Sequence, residues 1–597
     1  MKHLWAIFFA LLFVLPACGT DTPDDDDDTT TDDDDTASGD DDDSAPVDAD
    51  DDGVLAGDDC DDEDAALGAI AADADCDGAL TADDCNDEDE EVLAADCSGR
   101  WPAPTNTLLL SVPDPSTGLY LNDVQASYPD VDWSTLERLY IPRGQYSYIH
   151  IGNLPARDPA TPLVITNYGG QVWVGDLGHY YNFVIGGGSG WVVTGRYDPD
   201  AETGHADYPG HRGNRYASTQ GTYGFLIDDA SDDRALSGLS VGGGATRFEL
   251  EFIEVRNVGF AGIVLKTDDD GDATMSDCQL HDLYIHDTDS EGLYIGSTQP
   301  QPQHRIEGLS FYNNRVIRTG TELLQAGQLG RGNEIHHNVF ALGALTWKAP
   351  FQQWQDNGLQ IGVREGSSSI HHNVIIGAAD SLLLFMSQPA DTDSPQPSDL
   401  VHIHDNYFSH GRARGSYVGW FTTSVSTLRF EDNTYRAMTF ERDEVYDTTN
   451  GDVVFAMGAI LDTTIEFIDV TWEGLTNLHN QGTDPNGAYG SVSGSGNVYG
   501  STDPYPFVDL GLDPAMDFLR VEYWTAQATV GRQEPVIYHA GDIAIIDGVL
   551  YEALSENSGV YPPTDASVWS ALSAPVDDVR VARGSAYEGI GLLDTRP

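Results

Sequence analysis

Three short lines of the chain place polar side chains at matching positions: "DSEGLYIGS" at 289–297, "GTELLQAGQ" at 320–328 and "QDNGLQIGV" at 355–363. Glu291, Glu322 and Asn357 share one position of this template, Tyr294, Gln325 and Gln360 a second, and Gly296, Gly327 and Gly362 a third. An earlier stretch puts Ala261, Val264 and Lys266 at the same three positions. If these lines stack as parallel strands, corresponding residues stand about 4.8 Å apart, and each set becomes a column on one wall. Two carboxylates that close together raise the pKa of one of them, as an acid catalyst needs. Glu291 and Glu322 would then stand near the separation of a carboxyl pair that cleaves a glycosidic bond with retention.

Such columns require stacked coils, and a second ladder predicts them. "YNN", "HHN", "HHN", "HDN" and "EDN" end in Asn314, Asn338, Asn373, Asn406 and Asn433, each before a short β-branched or aromatic run. The local pattern is constant while the spacing varies, which means coils of similar cross-section with loops of different length. Asn tolerates the left-handed backbone of a turn, and its amide can bond to the copies above and below. The histidines of these motifs read as structural. Residues 135–510 show short β-rich runs between Gly, Asn and Asp, without convincing helical periodicity. The fold class expected is all-β, a right-handed parallel β-helix over 100–521. The pattern resembles the β-helix repeats of pectate lyases, polygalacturonases and related polysaccharide-degrading enzymes, clearly over 250–440 and loosely over 135–250.

That resemblance implies a second chemistry. "TDDDGDATMSD" follows Lys266 and sets Asp268, Asp270 and Asp272 at alternate positions around a Gly, a calcium-loop pattern. A lysine beside a bound cation resembles the β-helix pectate lyases, in which a base removes the proton alpha to a uronate carboxylate. The carboxylate must be neutralised, and the lysine pKa lowered. Arg256, His286 and, offset by one residue, Arg318 form a basic column, with Arg318 or His286 as the assisting cation. Arg364 is placed at the groove wall, and Tyr294, Gln325, Asn357 and Gln360 on its floor. Neither a polygalacturonase aspartate cluster nor a pectate-lyase RxPxxR motif is present.

Charge and targeting bound the partners. The net charge is −71, with 99 acidic and 28 basic residues, which excludes nucleic acid as a partner. An apolar run over 4–17 ends in "LPAC", which resembles the bacterial lipobox and makes Cys18 the expected lipidation site of a signal peptide at 1–18. An exported, outer-membrane or cell-surface lipoprotein is expected, anchored to the membrane rather than crossing it. Residues 19–47 read as a disordered, Asp-rich tether. At 48–99 an acidic line repeats after 25 residues and pairs Asp48, Asp50, Asp52 and Asp62 with Asp73, Asp75, Asp77 and Asp87. It resembles thrombospondin type 3 calcium repeats, which implies Ca2+ as cofactor. Cys60, Cys76, Cys85 and Cys97 lie in the same block, consistent with an oxidising compartment, and their disulfide pairing stays open.

Residues 522–575 resemble small chitin- or cellulose-binding modules through Tyr538, Gly541–Asp542, Gly548, Tyr551, Pro563 and Trp569, although "LSENSG" stands where paired surface tryptophans occur in that family. Tyr551 and Trp569 are the sugar-stacking candidates, and 576–597 reads as a closing segment. The expectation is a monomeric surface lipoprotein that binds an extracellular acidic polysaccharide. Calcium-assisted β-elimination with Lys266 as base comes first, glycoside hydrolysis by Glu291 and Glu322 second, and a non-catalytic calcium-binding adhesin third.

Overall fold

The structure is a computed structural model that describes residues 104–592 with breaks, chiefly at 176–180, 199–202, 205–222, 230–236, 268–272, 299–302, 350–354, 388–398, 420–425, 437–452, 458–462, 473–478, 481–491, 500–506, 509–520, 528–534, 573–579 and 582–586; of residues 1–103 it describes only Ala69. The expectations for Cys18, the tether, the acidic repeats with their cysteines, and Asp268, Asp270 and Asp272 therefore lie outside the described residues.

Each turn of the chain lays down three strands. One coil runs through Ala261–Leu265, Gln279–His281 and Tyr284–Thr288, and the next through Leu293–Ile295, Ser310–Tyr312 and Arg315–Thr319. Every one of these strands pairs in parallel with its counterpart one coil away: Ile263 with Leu293, Leu280 with Phe311, Ile285 with Val316. Repetition builds a 14-stranded sheet on one face and a 23-stranded sheet bent around the other two. The body is a right-handed parallel β-helix, the hand that parallel crossover connections take.

Alternation explains why these residues form strands. Ile335, Ile370, Ile403, Phe430 and Phe467 stand in register and point inward, while their neighbours point out. Aromatic rings stack along the axis as well: Phe408 on Tyr435 with centroids 4.6 Å apart, and Tyr435 on Trp472 at 5.0 Å.

The bend of the larger sheet is made by one residue per coil in the left-handed conformation: Asp282, Asn313, His337, His372, Asp405, Asp432 and Asp469 all have φ between 50° and 54°. Asn, Asp and His are the non-glycine residues enriched there. The asparagine ladder follows immediately. Asn338 donates from its amide and its Nδ2 to Asn373 Oδ1, and Asn373 does the same to Asn406 Oδ1.

The C-terminal module is a small sheet in which Val549–Ala553 runs antiparallel to both Ile543–Ile546 and Trp569–Ala571. It docks on the flank of the coils, with Ile543, Ile545 and Leu550 packed among Ile317, Leu345, Val374 and Tyr407. Lys348 reaches Glu522 at 2.7 Å in a buried ion pair. Among the described residues the tail adds no coil. Arg580–Val581 pairs antiparallel with Phe507–Val508, and the Gly591 amide donates to the His372 carbonyl.

Candidate active site

The three repeated lines are vertical neighbours. Tyr294 pairs with Gln325 and Gln325 with Gln360, so Glu291, Glu322 and Asn357 fall on successive coils at the start of these strands. The Gly262 amide bonds to the Glu291 carbonyl, and the Gly292 amide to that of Glu322. Val264 continues the second column, beside Tyr294 and Phe260 in a small apolar cluster. Gln325 Nε2 donates to Thr298 Oγ1, and Gln360 is half-buried.

The first column departs from expectation in one respect. A column of polar side chains on the wall was expected, yet Glu291, Glu322 and Asn357 are all at most 1% exposed. They precede the strand, where the chain is still turning, and period-two alternation does not govern their direction. Glu291 accepts from Gln355 Nε2 at 2.8 Å through one oxygen, and its other oxygen has no hydrogen bond; neither oxygen of Glu322 has one. Burial raises the Glu291 pKa to about 7. Burial also raises the Glu322 pKa well above its ordinary value, helped by the negative charge of Glu291 and then of Asp356. Both carboxyls therefore favour their protonated forms more than a solvated carboxyl does, and the Gln355 donor works against that at Glu291. Gln355 and Asp356 were not recognised from sequence; both lie in the third repeated line, where a polar residue beside Asn357 was the only signal.

Arg256, His286 and Arg318, the expected substrate and assisting cations, are each engaged with carboxylates of the protein. Arg318 grips Asp287 with Nε and Nη2, both at 2.7 Å. His286 lies between Asp287 at 2.7 Å and Glu254 at 3.3 Å, and Arg256 pairs with Asp228 and Glu254. Burial opposes charge on Asp287, yet Arg318 holds its pKa well below the usual carboxylate range. Tyr523 from the C-terminal segment donates to the Arg318 carbonyl, so the module lies against this network. These cations are already satisfied.

Lys266 is half-buried at the far end of its strand, at the level of Gly296, about 16 Å along the wall from Glu291 at 3.3 Å per residue. The structure thus separates Lys266 from both the carboxyl pair and the expected assisting cations. Two further candidates are buried and bonded within the protein. Arg364 is buried, with Nη1 donating to the Gln303 carbonyl at 2.6 Å. Trp569 is 2% exposed, packs edge-on to Tyr538 and donates to the Val560 carbonyl; it is the core of its module rather than a sugar platform, and Tyr551 packs against the same cluster. Trp569→Phe is expected to cost the module about 1–2 kcal/mol by thermal unfolding while leaving glycan affinity, measured by calorimetry, within twofold.

No family model and no curated protein matches the sequence. Among solved structures the chain is similar to an alginate lyase from Paenibacillus sp. str. FPU-7, at 13% identity over 66% of this chain and 100% of that one, with a TM-score of 0.31. It is also similar to the A-module of the Azotobacter vinelandii mannuronan C-5 epimerase AlgE6, at 12% identity over 65% and 97%, with a TM-score of 0.34. A third likeness is to the pectate lyase Pel9A, at 11% identity over 70% and 88%, with a TM-score of 0.31.

Proposed function

We propose that this chain is a surface-anchored enzyme acting on an extracellular polysaccharide, and that it cleaves glycosidic bonds with Glu322 as general acid and Glu291 as its carboxylate partner. The observation that carries the reading is the buried pair on adjacent coils, with neither Glu322 oxygen hydrogen-bonded. A fold does not retain such a group for stability, because an unpaired buried carboxyl is costly; function is the ordinary reason for keeping one. In the reaction a sugar hydroxyl takes the place of the Gln355 donor. Glu322 then gives its proton to the leaving glycosidic oxygen, and Glu291 attacks the anomeric carbon or directs a water to it. Lipid attachment at Cys18 and calcium binding by the acidic repeats complete the reading: one holds the enzyme at a membrane, the other stiffens its stalk.

The test is a panel of acidic and neutral polysaccharides, followed both by reducing ends and by ultraviolet absorbance. Reducing ends that form without absorbance, and disappear in Glu291→Gln, are the expected result. An unsaturated, absorbing product that needs Lys266 and is lost in chelator would replace hydrolysis by elimination. Binding without either product would make the protein an adhesin.

A further inference from the structure

The left-handed turn that bends each coil carries an internal comparison. In two coils the residue before it is a histidine and the turn residue an aspartate, His281–Asp282 and His404–Asp405, and His286–Asp287 repeats the pattern at the following bend of the first; in all three, histidine Nδ1 is 2.7 Å from the Asp carboxylate. A histidine needs only that carboxylate to fix its ring. In two successive coils the carboxylate is replaced by a second imidazole. His336 Nδ1 faces His337 Nδ1 at 2.8 Å, and His371 Nδ1 faces His372 Nδ1 at 2.9 Å. The rings of His336, His371 and His404 stack in one column with centroids 4.9 and 4.7 Å apart, and His337 stacks on His372 at 4.8 Å. All five rings are half-buried at the surface, within reach of solutes.

Donor atoms of His336, His337 and His371 lie within 4.8 Å of one another, as do those of His372, His404 and Asp405. We propose that these two sets bind divalent transition-metal ions of the copper and nickel class, one ion on each set. The 2.8 Å separation of His336 and His337, both in the first set, favours that class. Two nitrogens about 2.0–2.1 Å from one ion stand about 2.9 Å apart at a right angle, but about 3.3 Å apart at a tetrahedral one. Right-angled nitrogen and oxygen donors suit tetragonal Cu2+ or Ni2+. The buried group Glu249, Glu251 and His281 is different. There the carboxylates overcome burial and raise His281 to about 9, which makes it an ion-paired cation rather than a ligand.

The experiment titrates the full chain with Cu2+ in millimolar Ca2+, which occupies acidic side chains, and follows electron paramagnetic resonance and calorimetry. The wild type is expected to show nitrogen superhyperfine splitting from several imidazoles. The double variant His337→Asn, His372→Asn keeps the turn, because Asn313 already holds the same conformation one coil earlier. It should lose that splitting and weaken binding by at least about a hundredfold, more than the removal of an outer-sphere partner would, with an unchanged Tm. Equal affinity and an identical spectrum in both proteins would overturn the assignment, and so would an absence of multi-nitrogen coordination in the wild type. Because the readout is the metal itself, the result is independent of whether Glu322 catalyses anything.

Discussion

Glu322→Gln is expected to lower turnover by about a hundred- to ten-thousandfold, the usual contribution of a general acid, and at the same time to stabilise the fold at neutral and alkaline pH. The two effects have one cause. A group whose folded-state pKa is raised binds protons better folded than unfolded, so its stabilising contribution is complete below the unfolded value and fades as pH climbs through the folded value. For Glu291 the window runs from its ordinary 4.5 to about 7, a loss on the order of 3 kcal/mol across it. Glu322 is raised in the same direction and adds to the decline with the same sign. Urea unfolding of wild type and variant between pH 5 and 9 gives the check: the wild type weakens with rising pH, and the variant weakens less. A flat wild-type curve would mean that the two carboxyls are hydrated or ion-paired, and the proposed acid would be lost with them.

Asn373→Ala is the second large effect, expected to destabilise the protein by about 3–6 kcal/mol. Asn373 donates to the Ile335 and His371 carbonyls and to Asn406 Oδ1, while its own Oδ1 accepts from the amide and Nδ2 of Asn338. It is fully buried. Truncation strands several donors and acceptors without water, each costing about 1–3 kcal/mol, with partial relaxation reducing the sum. The ladder supplies its own control at Val470, an apolar residue at the same turn, whose amide bonds to Asn497 Oδ1. An apolar residue is tolerated at the edge of the run, not at its centre. A denaturant midpoint for Asn373→Ala close to wild type would show that neighbouring coils, or water, make good the loss.

The parallel coils were legible because a short line written three times fixes register, and register is what a parallel sheet needs. The asparagine ladder was legible for the same reason. Side-chain direction at Glu291 and Glu322 was not, since both precede their strands and alternation begins only after them. The column of Arg256, His286 and Arg318 looked catalytic because its partners, Asp228, Glu254 and Asp287, come from other coils or from the turn itself. Trp569 misled in a related way: a spacing shared with sugar-binding modules equally marks the residues that hold such a module together. The paired histidines were visible as letters, but the facing Nδ1 atoms depend on a backbone that no local pattern specifies.

The lateral docking of the C-terminal module bears on how the chain matures. Tyr523 meets Arg318 across 205 residues of sequence, and Lys348 meets Glu522 across 174. Coils that form in chain order can stack one after another, but the flank formed by Ile317, Leu342, Val374 and Tyr407 stays bare until the C-terminal module is made. A chain cut short before the module would present a sticky, protease-sensitive stripe along an otherwise finished tower.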